Sequence, residues 1–424
     1  MNEKTFILPM PSSSTLVFIT AGIVGILLLF AIMRKSQETR SLETYRLQRR
    51  NEIDRRCALV DASANRILVS LISYRNPYTA TTLFSLFEQA VCPFRIHVIL
   101  CDYQYAMDVV PLKEYKDLAA KKGVFDFSRQ ITVLSLSPED ARGMSYARHL
   151  IESKYKEEGE QASHYWLQVQ AGVTLSPEWD EAFIETLHHC PSYHSILGLA
   201  VRKRAKDVSS FVCFPSSSSS SLPPSLSYQP FHRSYHLPIR NAWVGENFFT
   251  YASSLLPQDP YLAYEPDGVR HIVFSLRAYT HGCDVFFSTE PKCLLQNMQG
   301  HATPRMQEQV AAPAHRLYPQ RTRLSKRSEA RLAFLLGKNT FLPASDPPLG
   351  HYGLGSIRSR EAFFHMSGVD FVKQTVSQDA KNGLCNPSSD VERLCKTGVL
   401  PQPTTHTRYT TTRDSSSTQD ERFK

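Results

Sequence analysis

From Arg66 onward, short runs of aliphatic and β-branched residues alternate with stretches whose apolar positions recur every three or four residues. Ile67 to Ile72 predicts a strand, Tyr78 to Val91 a helix with Leu83, Leu86, Phe87 and Ala90 on one face, and Ile96 to Cys101 a second strand. Ile131 to Leu136 predicts a third strand. The segment from Asp140 to Tyr155 carries Met144, Ala147, Leu150, Ile151 and Tyr155 at helical spacing, and Tyr165 to Val169 predicts a fourth, buried strand. Strands separated by helices in this way build an α/β sheet with parallel strands. The apolar stripes are core packing and perform no chemistry themselves. Helical periodicity returns from Val269 to Tyr279, and the folded part is expected to end by Val376.

The two ends of the chain read differently. Leu16 to Met33 is eighteen residues without a charge, which as a helix spans roughly 27 Å of a hydrocarbon core about 30 Å thick. This predicts a transmembrane anchor, since no small-residue cleavage site precedes Arg34. The expected organisation is a short tail over 1–15, an anchor over 16–33, a polar stem over 34–65 and a folded domain over 66–376. That domain is interrupted by a low-complexity loop over 215–230 and followed by a disordered tail over 377–424. Leu42, Tyr45 and Leu47 are too sparse to predict a helix in the stem. Orientation is ambiguous. Arg34, Lys35, Arg40, Arg46, Arg49 and Arg50 follow the span, and the positive-inside rule alone puts the body in the cytosol. A short anchor before a large body is instead the usual plan of proteins that face the lumen of the Golgi and the rest of the secretory pathway.

A chain of 424 residues with 42% hydrophobic content has room for a substantial core. The formal charge of +8 is spread along the sequence, with one dense patch between Arg305 and Arg331. That patch reads as a solvated face, so no nucleic-acid partner is expected. The nine cysteines, at 57, 92, 101, 190, 213, 283, 293, 385 and 395, form no CxxC pair and no zinc-type cluster. They permit up to four disulfides. No Asn-x-Ser/Thr sequon is present.

Ligands of open parallel sheets bind at the carboxyl ends of strands. The first predicted strand ends in Ser73-Tyr74-Arg75-Asn76-Pro77, where Arg75 has two readings, facing a phosphate or capping the next helix. Asp102 follows the second strand, in position to meet a uracil or ribose. Ala141-Arg142-Gly143 opens a helix that also carries Arg148, and helix amino termini favour anions. His271 and His281 flank a predicted helix and read as core or rim histidines. Asp180, beside Trp179, reads as a helix N-cap rather than a catalytic acid.

These pieces resemble the polypeptide N-acetylglucosaminyltransferases that act on hydroxyproline or mucin-type threonine, a GT-A-like family. The resemblance runs from about Ile67 to Phe371. It is carried by Ile67 to Pro77 with Thr82 to Ala90, by Ala141-Arg142-Gly143 with Ala147-Arg148, and by Tyr165 to Val169 with Trp179-Asp180. Ser275 to Gly282, Tyr352 to Arg358 and Ser367 to Phe371 complete it. The resemblance implies a GT-A-like α/β fold with a mixed, mostly parallel sheet flanked by helices. It also implies transfer of N-acetylglucosamine from UDP-GlcNAc to a protein or glycoprotein hydroxyl, with a divalent cation such as Mn2+ bridging the diphosphate. The donor-binding set it implies is Ser73, Tyr74, Arg75, Asp102, Arg142, Gly143, Arg148, Gln170 and Gly172.

The chain departs from the family pattern at its chemistry. Where the family has Asp-Ser-His after the fourth strand, this chain has Gln170-Ala171-Gly172, and Asn76 replaces an aspartate after the first strand. A glycine followed by two glutamates becomes Gly268-Val269-Arg270, leaving Glu265 and Asp267 as the nearest candidate catalytic acids. Hard cations want carboxylate oxygens, so these losses put the Mn2+ in question. Three readings follow: a divergent transferase in which Arg75, Arg142, Arg148 and Arg270 stabilise the diphosphate, a catalytically inactive pseudoenzyme of the same fold binding a sugar nucleotide, a glycoprotein or a partner transferase, and an unrelated membrane-anchored interaction protein, against which the multi-block match speaks.

Overall fold

The computed structural model describes residues 13–60, 65–158, 163–202, 210–213, 227–230, 237–264, 269–288, 290–298, 318–342 and 346–377. The predicted alternation is present. In chain order, β1 (Ile67–Tyr74), α2 (Thr79–Glu88), β2 (Ile96–Tyr103), α3 (Pro111–Lys122), β3 (Ile131–Leu136), α4 (Met144–Glu157) and β4 (Tyr165–Gln170) follow a long first helix, α1 (Ser13–Cys57). After them come β5 (Val173–Thr174), α5 (Trp179–His188), β6 (Ser195–Gly198), β7 (Val201–Arg202), β8 (Ser210–Cys213), β9 (Ser227–Pro230), β10 (Ile239–Asn241) and β11 (Phe248–Tyr251). The remaining elements are α6 (Val269–Thr280), β12 (Asp284–Phe287), β13 (Leu295–Asn297), α7 (Tyr318–Leu335), α8 (Arg360–Ser367), β14 (Val369–Asp370) and β15 (Thr375–Val376).

Eight strands form the main sheet in the order β10-β12-β6-β11-β4-β1-β2-β3. The four predicted strands make its parallel half, with β1 between β2 and β4. β11 runs antiparallel between β4 and β6, β6 and β12 are parallel, and β10 closes the edge antiparallel to β12. The architecture is therefore mixed α/β, with a large, mostly parallel sheet flanked by helices. Alternation along β1 divides the core, as the period of two requires. Ile67, Val69 and Leu71 face Leu83, Leu86 and Phe87 of α2 and Trp179 and Phe183 of α5. Leu68 and Ile72 face Ala147 and Ile151 of α4 and Phe274 and Ala278 of α6.

The stem expectation is corrected. Helix α1 continues unbroken to Cys57, through a stretch from Arg34 that holds neither glycine nor proline. Its end is docked on the domain: Ile53 is buried in the α2 side of the core, Arg49 pairs with Glu88 at 2.7 Å, and Cys57 is disulfide-bonded to Cys92. The apolar run Leu16 to Met33 lies within α1, of which residues 13–26 are described in backbone only. Among the described residues, no helix is long and apolar enough to cross a membrane. The tail beyond 377 and residues 214–226 of the low-complexity segment lie outside the described residues.

Asp180 is not an N-cap. It is the second residue of α5, and its carboxylate accepts from the backbone N–H groups of Val91 and Cys92 at 2.7 and 3.0 Å and from Arg95. Both side chains of the Arg95–Asp180 pair are fully buried, so this acid ties α5 to the turn before β2.

Candidate active site

The carboxyl ends of β2, β1 and β4 lie side by side on one edge of the sheet, and antiparallel β11 brings its amino end to the same edge. Register places Ser73 beside Asp102. The two line a cleft of about 320 Å³ together with Arg75, Asn76, Gln104 and Asp108. Asp102 is 1% exposed and its Oδ2 has no hydrogen-bond partner. Burial pushes its carboxyl up to about 6, against the pull of the Ser73 hydroxyl. Ser73 is itself hydrogen-bonded to the Thr79 hydroxyl at 2.8 Å.

Arg75 does not cap α2; it stands exposed at the cleft, paired with a carboxylate. At φ 47° the backbone turns sharply, and the guanidinium donates twice to Asp108, at 2.8 and 3.1 Å, while lying 4.9 Å from the Tyr105 ring centre. Its charge is thus balanced across the mouth of the cleft. Tyr74 turns its ring toward Tyr103 and packs with the core on the α4 side. Asn76, in place of the family's acid, joins two strand ends: its amide donates to the Ala171 carbonyl at 3.2 Å and its oxygen accepts from the Tyr78 N–H.

Beyond β4 the chain reverses tightly. Gly172 has φ 90°, a conformation costly for any residue with a Cβ. Its N–H donates to the Thr82 hydroxyl and its carbonyl accepts from Met298, so this glycine belongs to the scaffold. Gly143, at φ 105°, is the N-cap of α4. Neighbouring Arg142 lies 4.8 Å from the Tyr146 ring centre, and its carbonyl accepts from the Tyr264 N–H.

The residue that sequence reasoning missed is Glu246. Phe248 pairs with Gln168 across the antiparallel β4–β11 ladder, and two further steps of that register set Glu246 opposite Gln170. The Gln170 backbone N–H donates to Asn247 Oδ1 at 2.8 Å, and its side-chain amide donates to Glu246. The same carboxylate accepts from the Arg270 guanidinium and, at 3.0 Å, from His271 Nε2. Arg148 donates to the Glu246 carbonyl at 3.2 Å. A carboxylate therefore does stand beside the fourth strand's end, delivered by the turn that leads into β11. Its only local signal was an acid-amide pair, Glu246-Asn247, directly before the β-prone run Phe248 to Tyr251.

The electrostatics of this cluster are defined. Arg148, Arg270 and His271 are all at most 5% exposed. Burial holds the His271 imidazole well below its ordinary range, and Arg270 and Arg148 reinforce this. The imidazole is neutral, with its one proton on Nε2 to serve the carboxylate. Two guanidinium ions against one carboxylate leave the cluster with a net charge of about +1.

The family-implied divalent cation can be tested against these donors, and it does not fit. Gln170, Ala171 and Gly172 offer no anionic oxygen, and Glu246 is engaged by three N–H donors. Among the described residues no group of three or more His, Cys, Asp or Glu side chains is placed to hold a metal ion. Of the predicted residues, the structure gathers Ser73, Asp102 and Arg75 at the cleft and Gln170 and Arg148 at the Glu246 cluster. Tyr74 and Gly172 serve packing and turn geometry. Glu265 and Asp267 lie outside the described residues.

The mixed α/β sheet thus carries a polar, cation-rich site at its strand ends. The Glycosyltransferase (GlcNAc) family model matches residues 113–373, well over half of the chain, and the chain belongs to that family. No curated protein sequence matches it. Solved structures give low-scoring likenesses. S. aureus TarS 1–349 is 13% identical over 53% of this chain and 61% of that one, with a TM-score of 0.31, so less than two thirds of that structure is spanned. The same protein in complex with UDP is 12% identical, covering 79% and 92%, with a TM-score of 0.35. Mannosyltransferase PcManGT from Pyrobaculum calidifontis, in complex with GDP-Man and Mn2+, is 11% identical, covering 85% and 88%, with a TM-score of 0.32. Scores of this size say nothing about this chain's site.

Proposed function

We propose that the protein is a membrane-anchored glycosyltransferase that takes UDP-GlcNAc as donor and transfers the hexosamine to a hydroxyl of a protein or glycoprotein acceptor. One observation carries this reading: the strand-end edge of a GlcNAc-family domain places a buried acid, Asp102, beside a cleft, and a net-positive cluster of Arg148 from α4, Arg270 and His271 from α6 and Glu246 from the turn before β11 at the end of β4. In the transfer, the acceptor oxygen bonds to the sugar's C1 as the C1–O bond to the diphosphate breaks. The hydroxyl proton passes to a carboxylate, for which Glu265 and Asp267 are the candidates just before α6. The charge growing on the leaving diphosphate requires fixed cations nearby, and α4 and α6 supply them.

Anchorage through residues 16–33 is part of the proposal. Leu27, Leu28, Leu29, Phe30, Ile32 and Met33 are each more than half exposed, an apolar surface that calls for a lipid or protein cover. The Cys57–Cys92 disulfide supports an oxidising, secretory-pathway side for the body, such as the Golgi lumen, against the basic run that follows the span.

The loss of acids at Gln170 to Gly172 favours a second reading, a donor-binding protein without turnover. Incubating the full-length chain in detergent with UDP-GlcNAc and measuring UDP release separates the two. Steady release supports the transferase. Saturable UDP binding without release supports the inactive fold, and neither binding nor release sinks both.

A further inference from the structure

The mismatch between the site and a divalent cation points to a specific substitution. We infer that the Arg270 guanidinium, held against Glu246, occupies the electrostatic place of the metal ion, so that this site binds the diphosphate without a divalent cation. The inference rests on the donor reading above and deepens it.

Three observations on separate elements carry it. Glu246 sits opposite Gln170 in the β4–β11 register, so the edge that lost its carboxylate on one strand regained one on the next. Arg270, in the first turn of α6, stands where the resemblance expects a second glutamate, and it reaches this carboxylate. The pair therefore sets a fixed positive charge beside the strand end that lacks the family's cation-holding acid, and Glu246 fixes that charge in position. Arg148 adds a second guanidinium from α4, anchored on the backbone carbonyl of the same Glu246. The amide of Gln170 completes the arrangement as a neutral donor, where a carboxylate would have repelled Glu246.

The physical logic is that of charge placement. A metal ion and its acidic ligands present a diphosphate with a small net positive charge, and so do two guanidinium ions and one carboxylate. Arginine adds planar, bidentate donors suited to phosphate oxygens and is never deprotonated. The Glu246 carboxylate supplies orientation, because an arginine with a fixed acceptor loses less freedom when it meets an anion.

The experiment uses full-length protein in detergent, with UDP and Mn2+ as probes. Calorimetric titration of UDP into wild type is expected to give the same Kd in EDTA and in millimolar Mn2+, and electron paramagnetic resonance is expected to show no protein-bound Mn2+. In Arg270→Gln, UDP affinity in EDTA is expected to fall about tenfold. Mn2+, bound through the released Glu246, should restore part of that loss and give a bound-ion spectrum. Wild-type UDP binding that tightens tenfold or more with Mn2+ would overturn the inference, as would an Arg270→Gln protein with wild-type behaviour in both titrations. Should Arg270→Gln not fold, Arg270→Lys keeps the charge and is expected to retain cation-independent binding; a Mn2+ requirement in it overturns the inference equally. If wild type binds no UDP at all, the donor reading fails, and the Mn2+ spectra still decide this one: bound ion in Arg270→Gln but not in wild type supports it, and none in a folded variant sinks it.

Discussion

Glu246 lies just beyond the β4–β11 ladder and accepts the side-chain amide of Gln170, while Arg270 and His271 approach the same carboxylate from α6. The charge balance at this edge is thus set by residues from three segments distant in sequence.

Removing the carboxylate tests its structural weight. Glu246→Ala leaves a buried guanidinium and a buried imidazole without their shared acceptor, and is expected to cost about 3 kcal/mol. Urea denaturation of wild type and variant measures it, and a difference below about 1 kcal/mol would contradict the network described.

Adding a carboxylate tests the same edge from the other side. Gln170→Glu puts two like charges directly opposite each other in an antiparallel pair, which destabilises the apo protein. Thermal melts are expected to show a lower Tm for this variant and a rise with Mn2+ that wild type lacks. The position two residues on is a poor place for a new ligand, because Gly172 at φ 90° strains any side chain put there.

Asp102 gives a pH signature. Its folded value of about 6 lies above the ordinary 3.8, so between about pH 4 and 6 the native protein holds a proton that the unfolded chain has released. Stability from this group falls as pH rises through that window and is level above it. Asp102→Asn is expected to gain up to about 3 kcal/mol over wild type at neutral pH and nothing at about pH 4. Denaturant midpoints at the two pH values check this, and an equal effect at both would refute it.

Asp180→Ala separates scaffold from chemistry. The variant takes from buried Arg95 one of its two carboxylate partners, Glu181 at 2.7 Å remaining, and leaves the Val91 and Cys92 N–H groups without their acceptor; it is expected to lose about 3 kcal/mol of stability, while UDP affinity per folded molecule stays unchanged. A selective loss of UDP binding in a stable variant would instead place Asp180 in the site.

The disulfide between Cys57 and Cys92 closes a separation of 35 residues. Loop-closure entropy for that length corresponds to about 4 kcal/mol. Cys57→Ser, or reduction of wild type, is expected to lower Tm accordingly. Labelling of Cys57 and Cys92 themselves by a thiol reagent in native, unreduced protein, located by peptide mapping, would argue against the bond.

The parallel half of the sheet was legible because each element is local: Ile67 to Tyr74 and Ile131 to Leu136 are contiguous β-prone runs, and α2 and α4 repeat their apolar residues at helical spacing. The absence of acids directly after β4 was legible too, since Gln170, Ala171 and Gly172 carry none in any conformation. Partnership between distant charges was not. The pairing of Arg75 with Asp108 had no local signal, Asp180 reads as a cap until it closes on Arg95, and α1 reads as a stem until Ile53 and Cys57 are docked. Glu246 owes its place to an antiparallel strand inserted between β4 and β6, and to an α6 arginine arriving from the other side. Propensity and periodicity act over a few residues, so the sequence alone determined which segments become strands and helices and which acids are missing. The sign and strength of charge at one point depend on every group that folding brings within a few ångströms, and only the tertiary structure decided that.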